Sequence, residues 1–420
     1  MRLDCFVSFR LAFLCFRYLS FLIESSVTVN PSELSRLLVR DPSAQRESGY
    51  LHTLAEILQQ PRSWIETSAD VARAFEASRL RGMFDPLPEA IVFTGSGSSH
   101  YVGECLAAGL QATLDLPVQA IAAGTLLTHR RGTLPPGRGL LVSVARSGDS
   151  PESAAVVDKV LAEAPQYRHL VLTCNACGRL ATRYRDDPRL AAIVLDERTN
   201  DRSLVMTSSF TNLLLAGRAI AAMRQLHLYT ERATRLSALA SRVIERDADN
   251  LAAIARSGFS SAVYLGSGVR FGSARESALK MLEMSAGYVK TTAETFLGLR
   301  HGPLAAVDET TLVVAFLSCD ATVRAFECDV LRELDRKGLG KRRVLVGDDL
   351  PVDLLRDGQR VVETPGLAAL GDDDAPLLDV LVGQLLAFFN CLQLGFKPDA
   401  PSQGVLTRVV EEFSIHRSPA

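Results

Sequence analysis

The feature that most constrains this chain is a local pattern that occurs twice. The stretch 89-EAIVFTGSGSSHYVGECLAAGL-110 and the stretch 260-SSAVYLGSGVRFGSARESALKML-282 each read as a short apolar run, then Gly-Ser-Gly, then a helix. Gly95 and Gly266 lie 171 residues apart. One large sheet with a chance echo is the alternative. Strand, glycines and helix recur in the same order, and that favours two tandem units.

The runs that follow each copy extend the pattern. After the first come 139-GLLVSV, 169-HLVLTC and 191-AAIVLD; after the second come 311-TLVVAFLS, 342-RRVLVG and 359-QRVVET. Helical patterns at 100–114, 151–163 and 177–186, and a longer one at 205–224, separate the first set. Near-continuous apolar strands alternating with helices imply α/β units, each a parallel sheet flanked by helices on both faces. Residues 46–82 read as helical, with Pro61 near a helix start beside Trp64 and Ile65. The expected organisation is an extension over 1–44, a first unit over 45–250 with N-terminal helices, and a second over 251–420. Helices over about 205–256 would join them.

Composition narrows the function. A 420-residue chain that is 47% hydrophobic and 22% charged has ample core for a globular enzyme. Net charge is −2 with no basic stripe, so a nucleic-acid partner is not expected. Eight cysteines in this length make no disulfide framework, and Cys105, Cys319 and Cys391 sit in apolar runs. Cys174-Asn-Ala-Cys177 has CxxC spacing but no second pair and no nearby histidine, so metal binding is not expected there. Residues 5–23 are apolar and aromatic but broken by Arg10 and Arg17, which are costly in a bilayer. A weak anchor, a poor signal peptide and translated sequence upstream of a start near Val27 or Val29 compete. The last is favoured, with a folded part beginning near Gln45, a cytoplasmic location and no membrane partner.

Gly-Ser-Gly is not a dinucleotide fingerprint here. The first copy lacks the third glycine and the second places Gly272 one residue late. In open parallel sheets, ligands bind beyond the carboxyl ends of the strands. Two loops of the first unit belong there: Gly97-Ser98-Ser99 and Arg146 through Ser153. A helix start offers free N–H groups and partial positive charge, Gly148 permits close approach, and Ser147 and Ser150 add hydroxyls. Pro151 at the first helical position costs no hydrogen bond. The pattern predicts a phosphate site, against the simpler reading of Ser150 as an N-cap. The second unit has 316-FLSCDATVRAF at the matching place, so one phosphate site per chain is expected.

The second unit carries the candidate proton chemistry. Glu276, Lys280 and Glu283 fall at i, i+4 and i+7 on one helix face. Such a stripe is also the ordinary pattern of an ion-paired, solvated face. His301 stands in a loop between Arg300 and Gly302-Pro303, and His100 adjoins the first serine loop.

These residues together resemble a tandem SIS (sugar isomerase) protein, the plan shared by the isomerase half of glucosamine-6-phosphate synthase. The chain is more similar to the AgaS family of galactosamine-6-phosphate deaminase/isomerases. The resemblance runs through QPRSW (60–64), TGSGSS (94–99), RSGDSPES (146–153), MTSS (206–209), YLGSG with ARESALKMLE (264–283), RHGP (300–303) and the tail 402-SQGVLTRVVEEFSIH-416. It covers about residues 50–420 and implies a hexosamine 6-phosphate substrate and no metal or redox cofactor. It implies sugar-phosphate roles for Ser98, Ser99, Arg146, Ser147, Gly148 and Ser150. Substrate contacts are implied at Gly97, Thr207, Ser208 and Arg408. It implies that Glu283 shuttles a proton between C1 and C2, with Lys280 beside it. It further implies that His301 assists ring opening and reaches an adjoining subunit's site, hence at least a homodimer. Two departures stand out. Ala145 replaces a phosphate-binding serine of the synthase relatives, and Arg408 replaces a lysine, which removes a Schiff-base amine. A plain ketose/aldose phosphate isomerase, a glucosamine-6-phosphate deaminase and a non-catalytic phosphosugar sensor are the competing readings.

Overall fold

Both Gly-Ser-Gly copies join a strand to a helix, and the sheets around them are built alike. The computed structural model describes residues 32–355, 359–402, 404–408 and 414–416. The apolar stretch 5–23 and the start positions Val27 and Val29 lie outside the described residues. The first sheet contains β1 (Ala90–Gly95), β2 (Val118–Ala122), β3 (Gly139–Ala145), β4 (Arg168–Thr173) and β5 (Leu190–Val194) in the order β2-β1-β3-β4-β5. The second contains β6 (Ser261–Leu265), β7 (Lys290–Glu294), β8 (Thr311–Phe316), β9 (Arg342–Gly347) and β10 (Gln359–Glu363) in the order β7-β6-β8-β9-β10. All neighbouring strands are parallel. Renumbered from its own first strand, the second order is the same as the first.

The chain ahead of residue 40 is a separate unit. Its described part holds α1 (Glu33–Leu38), with Ser32 Oγ accepting the Ser35 N–H as an N-cap. Residues 40–420 form one compact unit. Four helices lead in: α2 (Pro42–Glu47), α3 (Leu51–Leu58), α4 (Gln60–Glu76) and α5 (Ser78–Gly82). Helical structure therefore starts ahead of Gln45. Around the first sheet lie α6 (Ser98–Leu114), α7 (Ala123–Thr133), α8 (Pro151–Glu163) and α9 (Arg179–Thr182). The linking helices are α10 (Ser208–Arg218) and α11 (Leu226–Arg256). The second sheet carries α12 (Val269–Met284), α13 (Phe296–Leu299), α14 (Ala321–Arg336) and α15 (Ala375–Gln393).

The duplication extends to single backbone torsions. Gly97 and Gly268, just before α6 and α12, both sit at φ 55°, ψ −128°. Positive φ is costly for residues with a Cβ, which explains glycine at both places. The central strands β1, β3 and β8 are buried at every residue. Two strands had no counterpart in the sequence reading, β2 and β7. Both are edge strands: β2 is buried only at Val118 and β7 at none of its five residues, so neither has an apolar run. The helix expected over 177–186 is only α9; Pro188 disfavours helix just beyond it.

Helices α4, α10, α11 and α15 fill the space between the sheets. Trp64 is wholly buried and donates from Nε1 to Thr211 Oγ1 at 3.0 Å; Gln60 Nε2 donates to Gln384 Oε1 at 2.7 Å. The QPRSW segment is thus an anchor joining α4 to α10 and α15. Helix α15 is apolar and long enough to cross a membrane, with a mean hydropathy of 1.7, but 94% of that window is buried inside the fold. It is a core helix.

Candidate functional site

In the order β2-β1-β3-β4-β5 the chain leaves β1 for β2 on one side and returns to β3 on the other. The order in which strands are added reverses between the parallel neighbours β1 and β3, and a crevice opens at their carboxyl ends. Thr94 and Ser143 are paired across that seam, so the two serine loops emerge side by side.

The loop after β3 is braced from behind. Asn175 Nδ2 donates to the Ser147 carbonyl at 2.8 Å, and Asp149 Oδ1 accepts the Arg179 N–H at 3.0 Å. Asp149 is thus tied to the β4–α9 turn. Ser150 begins α8 without a side-chain cap; its Oγ lies 2.8 Å from Ser153 Oγ. The N-cap reading therefore fails for its hydroxyl, and Pro151 occupies the first helical turn.

The loop after β1 meets the second half of the chain. Gly272 lets α12 approach α6, since a Cβ there would lie 2.7 Å from the Cys105 nitrogen. Beside that crossing, Arg275 pairs with Glu104 and stands 4.5 Å over the Tyr101 ring. The docking carries the α12 stripe into the first crevice. Lys280 is wholly buried; its Nζ donates to Ser98 Oγ at 3.1 Å and lies 2.5 Å from Glu283 Oε2 and 3.4 Å from Glu276 Oε1. Burial alone would lower the Lys280 ammonium, but Glu276 and Glu283 outweigh it and hold it above its usual value. Burial pushes the Glu276 carboxyl up to about 7, with Glu283 adding to the rise and Lys280 and Ser98 opposing it. The solvated-face reading is thus overturned at Glu276 and Lys280. The Glu283 side chain is 21% exposed and Glu276 fully enclosed, so Glu283 is the carboxylate with access to the crevice.

Other expected site residues are placed differently from the sequence reading. Arg146 donates to the carbonyls of Ser203 (3.4 Å), Leu204 (3.0 Å) and Arg408 (2.7 Å). Those bonds point its guanidinium at backbone. Arg408 donates to the Asp201 carbonyl and to Asn200 Oδ1, both at 2.7 Å. Ser208 Oγ donates to Asp201 Oδ1 at 2.5 Å, and Asp201 Oδ2 accepts from the Thr207 and Ser209 N–H groups at 2.7 and 2.9 Å. Ser208 is therefore part of a helix start held by Asp201. Thr207 Oγ1 is buried with no partner among the described residues. Ser99 Oγ lies 3.8 Å from Met206 Sδ, and His100 Nε2 lies 3.3 Å from Glu104. His301 is exposed, and among the described residues its side chain forms no hydrogen bond or ion pair with Ser98, Lys280 or Glu283.

Two acids escaped the sequence reading. Asp201 could have been found as an acid just ahead of the MTSS helix start. Glu56 gave no signal: it lies on α3 and accepts from the Arg202 and Ser203 N–H groups at 2.6 and 3.2 Å. Burial, then Asp201, pushes it up to about 7.

The second crevice, between β6 and β8, is filled by the protein itself. Arg270 stands where Ser99 stands in the first copy. It is wholly buried, pairs with Asp379 through 2.6 and 2.9 Å bonds, and donates to the Leu317 carbonyl just past β8. A groove of about 1460 Å³ runs along α7 and α8 and is not the crevice. Crevice geometry is the better guide, because that groove is open and holds none of the α12 side chains. Among the described residues no cluster of His, Cys, Asp or Glu could hold a metal; Cys174 is buried, Cys177 exposed, and both are free thiols.

No family model matches the chain. Individual relatives do. A Streptomyces coelicolor protein provisionally named D-galactosamine-6-phosphate deaminase AgaS is 36% identical over 381 residues, covering 87% of this chain and 95% of that one. The D-galactosamine-6-phosphate deaminase AgaS of Escherichia coli is 32% identical over 374 residues, with the same coverage. The crystal structure of tagatose-6-phosphate ketose/aldose isomerase from Escherichia coli superposes with a TM-score of 0.78 at 30% identity, over 88% of this chain and 97% of that one.

Proposed function

The chain belongs to the AgaS family, and on that premise we propose that it is a hexosamine-6-phosphate deaminase/isomerase. The substrate is D-galactosamine 6-phosphate and the products are tagatose 6-phosphate and ammonia. The observation that carries this reading is the hydrogen bond from Lys280 to Ser98, with Glu283 beside it. It joins an acid/base pair to the crevice where two serine loops meet at helix starts.

In this reading the phosphate lies against Ser147, Gly148 and Ser150 at the start of α8 and Ser98 and Ser99 at the start of α6. The open-chain sugar presents C2 to Glu283, which takes the C2 proton and returns it to C1. Lys280 stabilises negative charge developing on the C1 oxygen. The product is an imine at C2; water adds, the C–N bond breaks, and ammonia leaves a C2 ketone. No cofactor enters the balance. Gly97 and Thr207 line the sugar. Arg146 and Arg408 shape the crevice through the 200–204 loop, and no covalent amine adduct forms at position 408. His301 acts in ring opening from the adjoining subunit of a cytoplasmic homodimer.

Ammonia release, followed with D-galactosamine 6-phosphate and D-glucosamine 6-phosphate in parallel, tests the reading. Faster release from the galacto sugar is expected. Aldose–ketose interconversion without ammonia from either sugar would replace it with a plain isomerase, the activity in the name of the superposed Escherichia coli structure.

A further inference from the structure

One buried charge in the crevice has no part in the chemistry proposed above. Glu276 is fully enclosed between α12 and its neighbours; Ser98 and Lys280 stand near enough to stabilise its charge, but neither of its oxygens receives a well-formed hydrogen bond among the described residues. Its nearest charge is Lys280 Nζ, 3.4 Å away. A carboxylate in such a place is costly unless it serves a neighbour. Lys280 in turn is an ammonium without exposure, flanked at i−4 by Glu276 and at i+3 by Glu283.

We infer that Glu276 is a positioning residue: together with Glu283 it holds the Lys280 ammonium at the Ser98 end of the crevice, and it keeps Glu283 from pairing one-to-one with that charge. This rests on the role given to Glu283 and Lys280 above. A lysine buried with a single carboxylate would form a closed pair and weaken that carboxylate as a base. Sharing Lys280 between two carboxylates keeps it charged while leaving Glu283 basic enough to take a carbon-bound proton. Helical spacing enforces the division, because Glu276 and Glu283 lie on opposite sides of Lys280 along one face of α12.

The titratable and charged groups on elements packed against α12 are few. On α6 they are His100 and Glu104, which face each other, Tyr101 beneath Arg275, and the Cys105 thiol; Glu104 is also held by Arg275. On α15 there are Asp379, bound to Arg270 of α12 itself, and the buried Cys391 thiol. On β7, Lys290 reaches the Gly287 carbonyl and Glu294 accepts from Thr295. On β6 there is the buried Tyr264 hydroxyl. None of these is an alternative counter-ion for Lys280 among its described ion pairs and hydrogen bonds.

The test is Glu276→Gln in the full chain, read in two ways. The first is the titration of Lys280 itself, followed by the ¹³Cε shift of lysine-labelled protein and assigned by its loss in Lys280→Arg. Removing one of two carboxylates should move that titration to lower pH. The second is kinetic: kcat should fall on the order of a hundredfold, as expected for a misplaced catalytic group, with KM little changed and the alkaline limb of kcat shifted down in pH. Should Glu276→Gln not fold, both readouts pass to Glu276→Asp, whose carboxylate is withdrawn by one methylene; a smaller shift in the same direction is expected. An unmoved Lys280 titration in a folded variant overturns the inference, even if stability drops. The titration needs no turnover, so a wild type that releases no ammonia would remove the proposed reaction while leaving the Glu276–Lys280 coupling to stand or fall separately.

Discussion

Replacing Glu283 with glutamine separates its role as a base from its role as a partner of Lys280. Glutamine keeps the side-chain volume and a carbonyl oxygen that can accept from Lys280 Nζ, now 2.5 Å from Glu283 Oε2. Lys280 also retains Ser98 at 3.1 Å and Glu276 at 3.4 Å, so no buried charge is stranded. The fold and the serine loops should therefore survive, and sugar-phosphate affinity should change little. What is lost is proton acceptance. General base catalysis contributes a factor of about 10² to 10⁴, or about 3 to 5 kcal/mol on the barrier. The assay is wash-in of solvent deuterium at C2, read by NMR beside ammonia release, with calorimetric binding as the control. Both rates should fall together by at least a hundredfold with binding intact. Near-normal turnover would refute the assignment and make His301 the next candidate. Loss of binding along with turnover would mean that Glu283 holds the crevice open rather than moving a proton.

Three further outcomes are expected. Ser147→Ala combined with Ser150→Ala should weaken binding of hexose 6-phosphates about tenfold or more, since each removes a donor to a charged group; equal binding of phosphorylated and unphosphorylated sugar by the wild type would sink the phosphate site. His169 is buried with both ring nitrogens unpartnered among the described residues, and burial pushes it down to about 4. Its folded value lies below its unfolded one, so stability is lost as pH falls from about 6.5 through about 4, by up to about 3 kcal/mol. His169→Leu should flatten that acid-side loss in thermal melts, and an unchanged pH slope would count against it. Mixing inactive Glu283→Gln and His301→Asn chains under conditions of proven subunit exchange should restore part of the activity; no recovery would place the whole site within one subunit.

The parts of the fold that were legible in the sequence are those whose surroundings repeat locally. Strands β1, β3, β4, β6, β8 and β9 are near-continuous apolar runs because helices cover both of their faces, and a run can be read without knowing what covers it. The edge strands β2 and β7 have one open side; VQAIA and KTTAE carry no such run, and their pairing depends on β1 and β6 alone. The i, i+4, i+7 spacing revealed the stripe on α12. Its burial could not be read there, because α6 and α15 supply the cover from far along the chain. The partners of Arg146 and Arg408 were hidden for a related cause. Their guanidinium groups bind backbone carbonyls, which every residue has, so no sequence motif records the partner.

The filled second crevice gives the duplication a direction. With Arg270 and Asp379 occupying the place where the first half keeps an opening, the second copy has no cradle of its own. Its first helix instead lends Lys280 and Glu283 to the opening in the other copy. In the proposed reaction each half is thereby incomplete in a different respect: one owns a receptacle without reagents, the other owns reagents without a receptacle. On that proposal, a chain cut between them is expected to yield two inert pieces that must find each other before any sugar could react. Substitutions at Ser98 and Lys280 are likewise bound to a common fate, although 182 positions of sequence separate them.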